Sequence, residues 1–151
     1  MRNYIRREFT VSTALPDAWN HLALIENWTS WAKHIRSIVL KPPGMVTPNS
    51  KATLRLTNGI RSTYQVIQFK PLRSWKWEGS LLWLRIEYDH VFEELTADST
   101  RITFVVDAEG FGASVIGRLF AMVYNRNLDA AIPALISEMS DLAGRRHDPA
   151  A

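Results

Sequence analysis

The chain of 151 residues carries 18 Lys+Arg against 15 Asp+Glu (net +3), is 46% hydrophobic and has no cysteine. That length suits one domain with a sizeable core of its own, and lacking cysteine it can hold no disulfide, thiolate metal ligand or cysteine nucleophile. No apolar run approaches the ~18–20 residues of a membrane span, and the N-terminus lacks the apolar stretch of a signal peptide, so a soluble, cytoplasmic protein is expected.

From Tyr4 to Val11, Ile5, Phe9 and Val11 alternate with Tyr4, Arg6, Glu8 and Thr10, which predicts a half-buried strand. Leu15-Pro16-Asp17 opens a helix, since proline fits the first helical position and aspartate suits the positive helix end. Ala18, Trp19, Leu22 and Ala23 continue it at helical spacing. Glu26-Asn27-Trp28 breaks the pattern, and a second short helical piece runs to about Lys33. From His34 the period becomes 2. Strands are predicted over Ile35–Leu40, Ala52–Thr57, Ile60–Phe69, Ser74–Glu78, Trp83–Phe92 and Ile102–Asp107, punctuated by Pro42-Pro43-Gly44, Asn58-Gly59, Pro71-Leu72-Arg73, Gly79-Ser80 and Ala97-Asp98-Ser99.

After Gly110-Phe111-Gly112, read as a strand-to-helix hinge, the period turns helical. Val115, Leu119, Met122, Val123, Leu128, Ile132, Leu135, Ile136, Met139 and Leu142 form the expected buried stripe, and Pro133 should kink the helix. The expected architecture is α+β: a curved antiparallel sheet of about seven strands gripping a long C-terminal helix, with two short helices after the first strand. A single domain covers residues 1–143, and residues 144–151 form a frayed polar tail. The space between sheet and helix is the candidate site, with the segment from Pro42 to Ser50 and the Gly110–Gly112 hinge flanking its entrance.

Five local words carry a resemblance: Leu15-Pro16-Asp17-Ala18-Trp19, Glu26-Asn27-Trp28-Thr29-Ser30-Trp31, Tyr88-Asp89-His90-Val91-Phe92-Glu93, Thr100-Arg101-Ile102-Thr103-Phe104 and Asn127-Leu128-Asp129-Ala130-Ala131-Ile132-Pro133-Ala134-Leu135. Together with the element order they resemble the START-like (SRPBCC) helix-grip superfamily over roughly residues 3–143. That superfamily includes pollen-allergen-type proteins, lipid-transfer domains and bacterial polyketide cyclase/dehydrase-like proteins. The resemblance implies a pocket for lipids, quinones, polyketides or other apolar molecules, and it is specific for fold rather than activity.

Hydrolase, phosphate-binding and dinucleotide-binding signatures are absent. His21, His34, His90 and His147 lack ligand spacing, so no metal and no cofactor is expected. His90 shares the apolar strand face with Ile86, Tyr88 and Phe92. It is the candidate acid–base group with Tyr88 as partner, or a hydrogen-bonded core histidine. The candidate ligand-binding set is Arg7, Trp28, Trp31, Tyr64, Trp75, Trp77, Ile86, Phe104, Tyr124 and Asn125. The tryptophans would wall the cavity, the tyrosines would offer hydroxyls, and an inward Arg7 would need an anion, from a ligand or from Asp129. Arg85, Glu87 and Asp89 fall on the convex face as a surface ladder.

Residues 1–76 hold 12 basic and 3 acidic residues (+9), and residues 77–151 hold 6 and 12 (−6). The basic residues are scattered singly, so nucleic acid is not an expected partner. Three functions are in view: binding of a hydrophobic small molecule, a polyketide cyclase/dehydratase-type reaction using His90 and a tyrosine, and a protein-interaction or chaperone-cofactor module docking through the basic half. Nothing in the pattern sets the oligomeric state.

Overall fold

The computed structural model describes residues 2–81, 83–110 and 113–147. The elements run β1 (Arg2–Val11), α1 (Leu15–Ala23), a 3-10 helix (Ile25–Ser30), β2 (Ile35–Lys41), β3 (Lys51–Leu56), β4 (Arg61–Lys70), β5 (Ser74–Leu81), β6 (Leu84–Thr96), β7 (Ser99–Glu109) and α2 (Ala113–His147). The strands form one seven-stranded sheet in the order β1-β7-β6-β5-β4-β3-β2, every neighbouring pair antiparallel. Short hairpins make that order the natural one, because tight turns can only join antiparallel neighbours. At the β3–β4 tip, Asn58 Oδ1 accepts the Ile60 N–H at 3.0 Å and Gly59 takes φ +92°. Those are the two things asked of an Asn-Gly turn.

Period 2 delivers the expected concave face. Leu84, Ile86, Tyr88, His90 and Phe92 of β6 are all buried, as are Ile102, Phe104 and Val106 of β7. Of the expected convex ladder, Arg85 reaches Glu78 at 2.7 Å and Glu87 at 3.0 Å, whereas Asp89 is half-buried and is among the residues lining the cavity.

Four local expectations change. Gly79-Ser80 does not end a strand, for β5 continues to Leu81. Gly79 stays in the ladder opposite Tyr64 because the tyrosine ring lies over the place its Cβ would occupy. Glu26-Asn27-Trp28 is not a break but the middle of the 3-10 helix, closed by the Trp28 indole N–H donating to the Leu22 carbonyl at 2.7 Å. The helical piece stops at Ser30, short of Lys33. At the C-terminus, α2 continues past Gly144 to His147.

A further change concerns the first half of α2 and matters most. Its second half buries Leu128, Ile132, Leu135 and Met139 as expected, but Val115, Leu119, Met122 and Val123 face outward and are exposed. The inward residues of the first half are Ile116, Phe120 and Tyr124, packed against the core. Residues 115–124 are apolar on almost every side, so spacing did not select the face. The second half is pinned by polar contacts: Thr13 Oγ1 donates to the Met139 carbonyl at 3.0 Å, and Glu138 Oε1 receives His21 at 3.1 Å and Ser30 at 3.0 Å. Arg7 of β1 pairs with Asp129 at 2.8 Å.

Gly79→Ala should therefore destabilise the fold by about 1–3 kcal/mol, because the new methyl meets the Tyr64 ring and the Thr63 carbonyl. Urea unfolding of the purified variant checks this; an unchanged midpoint would contradict the packing.

Candidate functional site

The concave face and the first half of α2 enclose a cavity of about 60 Å³. That is room for a few waters, well below the ~300–1,000 Å³ of a pocket that holds a drug-sized ligand. Trp28, Trp31, Ala32, His34 and Ile35 line it from the 3-10 helix region and the start of β2. The strands supply Leu54, Leu56, Ser62, Tyr64, Trp77, Tyr88, Asp89, His90, Phe104 and Val106, and α2 supplies Phe120, Tyr124 and Leu128. The pairs Leu54/Leu56, Ser62/Tyr64, Tyr88/His90 and Phe104/Val106 share a face two residues apart, as the pleat requires.

Aromatic rings make the walls. Tyr64 stacks on Trp77 with centroids 5.6 Å apart, and Trp28 lies 5.5 Å from both Trp31 and Trp77. Phe120 stacks on Tyr124 at 5.5 Å, and Tyr124 meets Tyr88 at 5.7 Å and His34 at 5.8 Å.

His90 sits at the floor, 5% exposed, stacked 4.6 Å from Trp75 and flanked by Trp28, Trp77 and Phe104. Its Nδ1 is 3.3 Å from the Trp75 carbonyl. A carbonyl only accepts, so the proton is assigned to Nδ1 and Nε2 is left as an acceptor. Burial among rings disfavours the imidazolium and brings the pKa from 6.5 down to about 3, against a smaller upward pull from the Trp75 carbonyl. The tyrosine hydroxyls of Tyr64, Tyr88 and Tyr124 are all pushed up by burial, Tyr88 furthest, since Tyr64 and Tyr124 beside it add like charge on ionisation. Tyr64 is also hydrogen-bonded to Tyr88 and to Ser62. Half-buried His34 is lowered by burial. Burial therefore favours the neutral forms of the tyrosines and of both imidazoles, and it also pushes the carboxyl of Asp89, another lining residue, up from the usual carboxylate range.

Of the expected site residues, Trp28, Trp31, Tyr64, Trp77, Tyr88, His90, Phe104 and Tyr124 come together around this space. Four do not line it. Trp75 is fully buried behind His90 and packs on Trp19 and Phe92, and Ile86 is core. Arg7 is engaged with Asp129 and with Asn125, 3.4 Å away, and both belong to the clamp between β1 and α2. The entrance also moves. The segment after β2 folds toward α1, where buried Val46 donates its N–H to the Ala23 carbonyl at 3.0 Å. Gly110 packs near Leu84, and Phe111 and Gly112 lie outside the described residues. The half-buried members of the lining are His34, Leu56, Asp89, Phe120 and Tyr124. Ser62 was recoverable from the sequence as the residue two before Tyr64, and Phe120 as the residue four before Tyr124. Among the described residues no three of His, Asp and Glu converge as metal ligands.

No protein-family model matches the chain, and no curated protein matches it. Solved structures do. A hypothetical protein from Helicobacter pylori superposes with TM-score 0.75 at 14% identity, covering 89% of this chain and 86% of its own. A START superfamily protein from Mycobacterium smegmatis gives 0.69 at 14%, covering 91% and 97%. The Zhui aromatase/cyclase from Streptomyces sp. R1128 gives 0.68 at 17%, covering 99% and 98%. The chain has the START-like helix-grip fold. At these identities the likeness carries architecture and not chemistry. No described helix of this START-like chain is long and apolar enough to cross a membrane.

The buried imidazole makes stability depend on pH. Below pH 6.5 the unfolded chain binds a proton at His90, while the folded chain does so only near pH 3. The stabilisation is complete above 6.5 and is lost as pH falls through that window, with a slope of up to about 1.4 kcal/mol per pH unit. Urea unfolding between pH 7 and 4 should show a shallower pH dependence for His90→Gln than for the parent. Parallel curves would contradict the neutral assignment.

Proposed function

We propose that the protein binds a flat, largely apolar small molecule carrying a hydroxyl or carbonyl oxygen, held between the sheet and the first half of α2. The observation that carries this reading is the chemistry of the enclosed space. Aromatic walls surround neutral tyrosine hydroxyls and the imidazole acceptor of His90. Such a lining discriminates by hydrogen bonds in a low-dielectric setting and offers no counter-charge to an ionised ligand. A ring system enlarges the space by displacing Phe120 and Tyr124, which are only partly buried. Lipids, quinones and aromatic polyketides all have the required mixture of apolar surface and oxygen.

The likeness to the Zhui aromatase/cyclase raises a second reading, ring closure or dehydration on a polyketide. That chemistry asks His90 to take up and return a proton. An imidazole whose pKa lies about 3 holds too little base strength for the task at neutral pH. Binding is the reading this interior supports better.

Quenching of the cavity tryptophans by 2-naphthol, 1,4-naphthoquinone and naphthalene tests the proposal. The two oxygenated probes should bind more tightly than naphthalene, and Tyr88→Phe should erase about five- to tenfold of that preference, the worth of one hydrogen bond. Equal affinities for all three, or no saturable quenching, would overturn it.

A further inference from the structure

The outward face of α2 is the largest apolar feature that the cavity does not use. Val115, Leu119, Met122 and Val123 are each between 52% and 64% exposed, over two turns of helix whose other side covers the cavity. Apolar side chains on such a face gain nothing from water and are normally covered. The topology brings more of the same to this end of the sheet. The β3–β4 tip presents Ile60, and the β5–β6 tip presents Trp83, 59% exposed, next to Gly110 at the approach to α2.

Around the first half of α2 and the β3–β4 tip the charge is basic, while the acids at this end lie at the β5–β6 side. Residues 113–128 contain Arg118 and Arg126 and no acid. Arg55 and Arg61 face each other across the base of the β3–β4 tip, and Lys33 lies just before β2. Among the described residues no carboxylate pairs with Arg55, Arg61, Arg118 or Arg126, whereas Glu78, Glu87 and Glu109 at this end are gathered on Arg85. The far end, at the β6–β7 hairpin, carries Glu93, Glu94 and Asp98.

We infer that this end of the molecule docks on an anionic lipid surface, with α2 lying in the interface and the cavity rim facing the bilayer. Apolar side chains interleaved with arginines, with a tryptophan beside them, suit the headgroup boundary: the arginines meet lipid phosphates and the rings sit at the acyl edge. A bilayer also conforms to a rounded rim made of one helix and two separate hairpin tips, for which a rigid partner would need a matching shape. The inference goes beyond the ligand-binding proposal and does not rest on it, since docking is measured on the unliganded protein.

Co-sedimentation with vesicles tests it. Vesicles of equimolar phosphatidylcholine and phosphatidylglycerol should retain the protein at low salt, and pure phosphatidylcholine should retain at least tenfold less. Arg118→Gln and Arg126→Gln should each weaken binding about fivefold. Leu119→Glu with Met122→Glu should abolish it while the circular dichroism spectrum stays unchanged. Absence of binding to the mixed vesicles overturns the inference. So does a dimer, seen by sedimentation, that the double variant splits and that leaves vesicles untouched, since the face would then belong to a second copy. Binding to soluble polyglutamate without binding to vesicles overturns it as well, in favour of an acidic protein.

Discussion

The structure depends on a buried chain of two hydrogen bonds through Thr13. Thr100 of β7 donates to the Thr13 carbonyl at 2.8 Å, and the Thr13 hydroxyl donates to the Met139 carbonyl at 3.0 Å. Both threonines are essentially inaccessible to water, so each bond satisfies a group that would otherwise be costly to bury. The chain ties the sheet, the β1–α1 connection and the last turns of α2 to one point. Leu135 and Met139 pack fully buried beside it. Once that end is fixed, a continuous helix of 35 residues has to pass across the concave face, and its first half roofs the cavity.

What lies beneath is decided by dielectric rather than by charge. The lining carries the hydroxyls of Tyr64, Tyr88, Tyr124 and Ser62 and the imidazoles of His90 and His34, and burial pushes the three tyrosines and both histidines toward their neutral forms. Burial raises phenols and lowers imidazoles for a single reason: water no longer solvates the charged species. The consequence is a fixed pattern of donors and one acceptor, set by His90 giving its Nδ1 proton to the Trp75 carbonyl. Hydrogen bonds formed there with a guest are stronger than the same bonds at the surface.

One helix thus serves two environments. Phe120 and Tyr124 belong to the cavity, while Leu119 and Val123, one residue before each, belong to the outside. A helix apolar all round is normally buried all round. Here only one side is covered by the protein itself. The polar clamps run from Arg7 on Asn125 and Asp129 onward, so these side-chain bonds to α2 fall in its middle and second half. The half that roofs the cavity is held mainly by ring contacts.

The residues by themselves determined the strands, the hairpins and the long final helix, because alternation and turn chemistry are local and each strand has a single face to bury. For the same reason the concave members Tyr64, Trp77, Tyr88, His90 and Phe104 were legible: they follow from parity along a strand. Tertiary structure alone decided the rest. It chose which side of an evenly apolar helix faces inward, placed Trp75 behind His90 rather than beside it, and gave Arg7 to Asp129 instead of to a ligand. It also brought His34 and Phe120 into the lining. Each of these depends on how far one element sits from another, and distance between elements is a property of packing that no period in the sequence encodes.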